Sequence, residues 1–156
     1  MRLHRPLLAA LLAGFGAAAA AGTVEVAFAD ITNFTDIGKY GLEEQQNADA
    51  LARHLQLLGQ RMLPAGHVLK VEVLDVDMAG TVRETRKGTL RTVKGGADFP
   101  SIRLRYTLQA PGQPARSGEE HLSDIHYTSG VPGHQRHQEL YYEKRLLEKW
   151  MAKLAS

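Results

Sequence analysis

No cysteine occurs among the 156 residues. That absence removes a disulfide framework, closes the lipid-attachment route that needs a cysteine at a mature N-terminus, and eliminates the structural zinc sites built on thiolates. Aromatic residues are sparse, 6% with one tryptophan, so there is no basic stripe with interleaved rings of the kind that grips nucleic acid. Excess charge is missing too. Two of the 19 lysines and arginines, Arg2 and Arg5, belong to an N-terminal segment discussed below, and the other 17 face 17 aspartates and glutamates. The sequence pI of about 9.0 therefore overstates the basicity of the rest of the chain, which has no global field to attract polyanions. Nucleic acid is not an expected partner. G-x-x-x-x-G-K-[ST], G-x-G-x-x-G, H-E-x-x-H and G-x-S-x-G are all absent, as are internal repeats and low-complexity tracts.

What is present is a folding sequence. Apolar residues make up 44% and charged residues 23%, near the averages of globular domains. The chain opens MRLHRPLLAALLAGFGAAAAAG: a positive start, an apolar stretch from Leu7 to Phe15, then small residues satisfying the A-x-A rule at Ala19 and Ala21. The apolar stretch is too short to span about 30 Å of hydrocarbon and is not followed by flanking charge. Residues 1–21 are thus expected to be a cleavable signal peptide, with Ala20 or Gly22 fitting nearly as well as cleavage points. Residues 22–156 are expected to form one periplasmic domain without a membrane span.

In that domain Val24, Val26 and Phe28 alternate with Glu25 and Ala27, the period-2 pattern of a half-buried strand, and a polar, glycine-containing loop runs from Asp30 to Gly41. From Leu42 to Leu63 the residues Leu51, Leu55, Leu58 and Met62 recur at helical spacing; Glu43 and Glu44 suit the N-terminal dipole, and Pro64 with Gly66 ends the run. Val68 to Met78 is β-rich, Ile102 to Leu108 alternates, and Ala115 to Leu122 can pair with it as a hairpin across Pro111-Gly112. A weak strand is expected around Thr89 to Val93 within the glycine-rich, basic stretch Gly80 to Pro100. A last helix spans Gln138 to Leu154, with Leu140, Leu146, Leu147, Trp150, Met151 and Leu154 on one face. The expected class is α+β: a mostly antiparallel sheet of about four to five strands with two helices on one face, in the order β-α-β-(β)-β-β-α.

LPAGHVLKVEVLDVDMAG (Leu63 to Gly80), IRLRYTL (Ile102 to Leu108), SGEEHLSDIHY (Ser117 to Tyr127) and YYEKRLLEKW (Tyr141 to Trp150) occur in that order, with FTDIG (Phe34 to Gly38) before them. Together they resemble a family of exported proteobacterial proteins known as a domain of unknown function, DUF 3016, from about Val24 to Trp150. The resemblance implies export and a single domain. It implies no activity, cofactor or catalytic residue, so no role transfers onto any position.

Asp75 and Asp77 lie two apart on a strand and share a face, the disposition of a carboxylate pair for acid–base work or for a hard cation. They share parity with Val71 and Val73, whereas Leu74, Val76 and Met78 take the opposite parity, so the apolar face switches near residues 73 and 74. A β-bulge or a strand covered on both faces accounts for that. The favoured reading is structural, with the aspartates accepting N–H groups from a neighbouring loop. His121, His126, His134 and His137 lie near Glu119, Glu120 and Asp124, but the spacing matches no metal motif and solvent-exposed histidines are the preferred reading. Ser123-Asp124 reads as turn chemistry rather than part of a triad.

Arg83, Arg86, Lys87, Arg91 and Lys94 form a loose basic cluster, the best candidate for a contact surface, although a solvated hairpin is favoured. Tyr106, Tyr127, Tyr141 and Tyr142 could line one aromatic pocket, and Tyr142, Lys144 and Arg145 could edge a groove. The candidate binding residues are therefore Asp75, Asp77, Arg83, Arg86, Lys87, Arg91, Glu119, Glu120, Asp124, Tyr127 and Tyr142. No metal or other cofactor is expected. The favoured function is a non-catalytic module that binds another periplasmic or envelope protein. Its alternative is a small hydrolase or lyase using carboxylates from Asp75, Asp77, Glu119, Glu120 and Asp124, and a structural role in an oligomeric assembly stays open.

Overall fold

A computed structural model describes residues 21–156 except 40, 87, 136 and 137. The signal segment, apart from Ala21, together with Lys87 and His137, thus lies outside the described residues. The elements run β1 (Thr23–Phe28), α1 (Gly41–Met62), β2 (Val68–Asp77), β3 (Thr81–Thr85), β4 (Gly88–Thr92), β5 (Ser101–Gln109), β6 (Arg116–Ser123) and α2 (Tyr141–Ala155), with a single 3-10 turn at Ile31–Asn33. A four-stranded sheet has the order β1-β2-β5-β6. β1 and β2 are parallel, joined by the α1 crossover that parallel neighbours require, while β2–β5 and β5–β6 are antiparallel. The α+β class and the expected order hold. The stretch before Phe99 departs from the single weak strand expected: β3 and β4 form a separate antiparallel hairpin off the main sheet.

Both helices cover one face of the sheet. Leu51, Leu55 and Leu58 of α1 and Leu146, Leu147, Trp150, Met151 and Leu154 of α2 share one core with Val24, Leu69, Val71, Val73, Ile102, Leu104 and Leu108. The other face is a solvated ladder in which Lys70 meets Glu25 at 3.2 Å, and Arg105 meets Glu72 at 3.0 Å and Glu119 at 3.4 Å. Exposed pairs of this kind contribute little stability, and they keep that face polar.

The parity switch on β2 has the expected cause. Val73 pairs with Leu104 but Asp75 pairs with Arg103, so Leu74 is the extra residue of a β-bulge. The bulge turns Val76 and Met78 into the core and rotates Asp75 and Asp77 to the opposite face. On the neighbouring β5–β6 pair, Gly118 lies opposite Tyr106, whose ring would stand 2.9 Å from a Cβ at residue 118. The ring covers the glycine and in turn meets Trp150 edge-on at 5.8 Å.

α1 lies close against β1 at Gly59, where a Cβ would come within 2.2 Å of Val24 Cγ2. Gly59→Ala should therefore destabilise the fold by roughly 1–3 kcal/mol through overpacking, less the ~1 kcal/mol that alanine gains in a helix interior. Chemical denaturation of Gly59→Ala, Val24→Ala and the double variant checks this. A double variant as stable as Val24→Ala alone is expected; additive losses would show that the two residues do not meet. Among the described residues, no helix is long and apolar enough to cross a membrane.

Candidate functional site

The first turns of the two helices and the β3–β4 hairpin enclose a cleft of about 590 Å³. α1 contributes Glu43 and Asn47, the end of β2 contributes Met78 and Ala79, and β4 with its exit contributes Leu90 to Val93. The remaining wall is the start of α2, from Gln138 to Glu143. Leu140 enters α2 in the left-handed region at φ 55°, the one described non-glycine residue with positive φ, and its buried side chain holds it there. Such a conformation stores roughly 1–3 kcal/mol and persists only where packing enforces it.

Two polar side chains in this wall are almost fully buried, Asn47 and Glu143, each 2% exposed. The Asn47 amide nitrogen donates to the Ile37 carbonyl at 2.8 Å and approaches the Met78 sulfur at 3.6 Å. Flipping the amide would set oxygen against oxygen, so the nitrogen side is fixed by its partner. Oδ1 is consequently a buried acceptor with no partner. Glu143 accepts the Ala79 N–H at 2.7 Å through Oε1. Burial pushes its carboxyl above the ordinary 4.5, a rise opposed by the Ala79 hydrogen bond and by the nearby Arg91 charge.

Arg91 binds the hairpin to the body. Its Nη2 donates to both Asp36 oxygens at 2.9 Å, and its Nη1 lies 3.4, 3.3 and 3.4 Å from the Met78, Ala79 and Gly80 carbonyls. Asp36 itself belongs to the loop after β1, bridged to Asp77 alongside β2. Lys39 of that loop reaches across to Glu84 on β3. The guanidinium is therefore committed to structural partners although it lines the cleft.

The other sequence-derived candidates are distributed as follows. Asp75 accepts the Thr35 N–H at 2.7 Å and the Thr35 hydroxyl at 2.8 Å, the loop-holding arrangement that the sequence suggests. Asp77 stands beside it with its carboxyl raised by burial, by Asp36 and by Asp75, but neither aspartate lines the cleft. Arg83 and Arg86 are exposed on the hairpin, so the basic cluster is divided between them and the inward-turned Arg91. Glu119 lies on the solvated sheet face, Glu120 lies opposite Leu104 on the helix-covered side of the edge strand, and Asp124 is paired with Lys149 at 2.6 Å. The carboxylates drawn on for the hydrolase alternative thus do not gather at one place.

Tyr127 is buried; its hydroxyl donates to Asp98 at 2.8 Å and accepts the Gly95 N–H at 3.1 Å, and burial raises its pKa to about 12. It stacks edge-on against Tyr142 at 4.8 Å, and Tyr142 against Tyr141 at 5.3 Å. Three of the four tyrosines therefore converge beside the cleft, with Tyr141 and Tyr142 lining it, while Tyr106 sits in the main core.

Asn47 and Glu143 escaped the sequence reading, yet both leave a signal. Asn47 stands four residues before Leu51 and Glu143 four before Leu147, so each is a polar residue at a position of its helix's apolar stripe. A buried polar position of that kind needs a reason.

Glu143→Gln separates burial from hydrogen bonding, because glutamine keeps an oxygen for Ala79 and carries no titrating proton. With the folded pKa raised, the unfolded chain releases its proton first as pH rises past 4.5, so the Glu143 contribution to stability is full below that value and is lost as pH climbs through the folded pKa. Urea midpoints of both proteins between pH 4 and 8 are expected to diverge steadily in favour of the variant as pH rises. A constant difference would show that folding does not shift the Glu143 carboxyl.

Among the described residues, no group of three or more His, Asp or Glu side chains is placed to hold a metal ion. No curated protein and no solved structure matches this chain. A family model does, described as "Protein of unknown function (DUF3016)", over residues 22–153. With nearly all of the described fold inside that match, from β1 through α2, the chain belongs to the DUF3016 family.

Proposed function

We propose that this protein is an exported, non-catalytic binding module of the bacterial cell envelope, and that the cleft between α1, α2 and the β3–β4 hairpin is its ligand site. The cleft of about 590 Å³ carries the reading, and Asn47, whose Oδ1 is a buried acceptor without a partner, is one of its lining residues. An unsatisfied buried group of this kind costs about 1–3 kcal/mol, which a ligand donor would recover. Export rests on the charged, apolar and A-x-A segments of residues 1–21.

Periplasmic fractionation of cells expressing the native sequence, followed by native mass spectrometry, tests both parts. The expected species begins at or next to Gly22 and carries a noncovalent adduct that is missing from Asn47→Leu. A chain that stays unprocessed in the cytoplasm overturns the export reading. An adduct that persists in Asn47→Leu moves the site elsewhere.

One observation favours the alternative of a small hydrolase or lyase. Glu143 places in the cleft a carboxyl whose pKa is raised by burial, which is how a general acid is prepared. Turnover of a periplasmic substrate that disappears in Glu143→Gln while ligand binding survives would establish it.

A further inference from the structure

Charge on this chain is balanced in total but not in place. Residues 81–92, which span the β3–β4 hairpin and its turn, hold four cations and one acid, so the other residues from 22 onward hold 13 cations and 16 acids. The hairpin belongs to no larger sheet, and most of its residues are exposed. Its register sorts the side chains onto two faces. Val82 pairs with Arg91 and Glu84 with Thr89, and this face is turned to the body, where Arg91 holds Asp36 and Glu84 holds Lys39. Arg83 pairs with Leu90 on the opposite face. Leu90 borders the cleft and is still 56% exposed. Among the described residues neither Arg83 nor the turn residue Arg86 has an ion-pair partner. The single carboxylate of the hairpin is thus answered by Lys39, while Arg83 and Arg86 keep their charge open to solvent.

We propose that the outer face of this hairpin is a docking surface for an anionic lipid bilayer, with the Arg83 and Arg86 guanidinium groups against headgroup phosphates and Leu90 entering the interface beside them. The separation of charge sets the approach. A negative bilayer attracts the hairpin and repels the rest of the domain, and its field decays within about 10 Å, so the charges nearest the surface dominate. The size of the face selects lipid over a folded protein. Five residues a strand at about 3.4 Å each, on two strands about 4.8 Å apart, give an outer face of roughly 200 Å², whereas a stable protein interface takes about 800 Å² from each partner. Headgroup phosphates accept guanidinium donors without a fixed spacing between them. Each cation at the surface contributes about fivefold to binding and a half-buried leucine about tenfold. With the charge of Lys87 included, the partition constant is on the order of 10³ M⁻¹, half-bound near 1 mM lipid. The cleft takes no part in this docking, and export of the chain would bring it to a membrane surface.

Vesicle co-sedimentation tests the assignment with the chain from Gly22, which carries every described element and omits the apolar N-terminal segment, itself a lipid binder. At about 1 mM lipid and about 50 mM salt, phosphatidylcholine vesicles with about one-third phosphatidylglycerol should retain roughly half of the protein, and pure phosphatidylcholine vesicles almost none. Raising the salt to about 0.5 M should release it. Arg83→Gln/Arg86→Gln should weaken binding about 25-fold, whereas the same loss of charge from the exposed side of α1, Arg53→Gln/Arg61→Gln, should change it by less than about threefold. Leu90→Ser should weaken it about tenfold and leave the salt dependence in place. Urea midpoints close to that of the wild type would show that the variants are folded. Equal losses in the two double variants would reduce the attraction to net charge and overturn the hairpin assignment. Retention on neutral vesicles as strong as on anionic ones, or retention on neither, would overturn lipid docking, and the second result would leave an acidic protein surface as the occupant to test.

Discussion

Replacing Trp150 by alanine is expected to cost the fold about 4 kcal/mol, the upper range for losing a buried large aromatic side chain. Trp150 is 4% exposed, sits on the apolar stripe of α2 and meets the Tyr106 ring at 5.8 Å with the planes inclined by 68°. The loss combines the transfer of an indole back to water, the cavity left between α2 and β5, and the edge-on ring pair, itself worth about 0.5–1.5 kcal/mol. Domains of this size have about 5–15 kcal/mol in total, so the variant should sit near its unfolding threshold. Because Trp150 is the single tryptophan, its fluorescence reports wild-type unfolding but not that of the variant, and circular dichroism at 222 nm in a urea series is the common measurement. The midpoint should fall with little change in the slope, and Trp150→Phe should recover more than half of the loss. A midpoint shift worth less than about 1 kcal/mol would mean that Trp150 does not anchor α2 to the sheet.

The second large effect is expected at Arg91. Arg91→Ala removes the cation from Asp36 and from three carbonyls at the end of β2, leaving a carboxylate on the loop without its partner. Breaking a fully buried ion pair costs about 3–5 kcal/mol, but these side chains are 22% and 25% exposed, so solvent screening reduces the expectation to about 2 kcal/mol. The loss should be local before it is global. The β3–β4 hairpin belongs to no larger sheet and is held by Arg91, by the Lys39–Glu84 pair and by the Gly80 N–H to the Asp98 carbonyl at 2.9 Å. Hydrogen exchange of hairpin amides should therefore accelerate well beyond that of β5, and ligand binding in the cleft should weaken because one wall is freed. Arg91→Lys keeps the charge but not the fork and should fall between the two. A double-mutant cycle with Asp36→Asn should return a coupling near 1–2 kcal/mol, and a cycle that closes to zero would show that the pair is not a tether.

Several parts of this molecule were legible from residue order alone because they are written in local periods. The alternation of Val24, Val26 and Phe28, the helical recurrence of Leu51, Leu55 and Leu58, and the stripe ending in Trp150 and Leu154 each specify an element and its buried face. The parity change at Leu74 announced a bulge, and with it the outward turn of Asp75 toward the loop that it holds through Thr35. The separated blocks from Phe34 to Trp150 were enough to place the chain in its family.

A solvated hairpin was the favoured reading of the basic stretch, but its two strands and the cleft were not legible in that way. β3 and β4 carry no apolar alternation because their burial is slight, so periodicity has nothing to register. Asn47, Ala79, Arg91 and Glu143 belong to four different elements or connections. The contacts that join them, such as Arg91 to Asp36 and Glu143 to Ala79, span 55 and 64 residues. Local sequence determined the elements, the bulge and the family, since each depends on side-chain period or on residues close together in the chain. Tertiary structure alone decided which polar residues meet in the cleft and which of them lack a partner, because distances between elements are set by how α1 and α2 seat on the sheet.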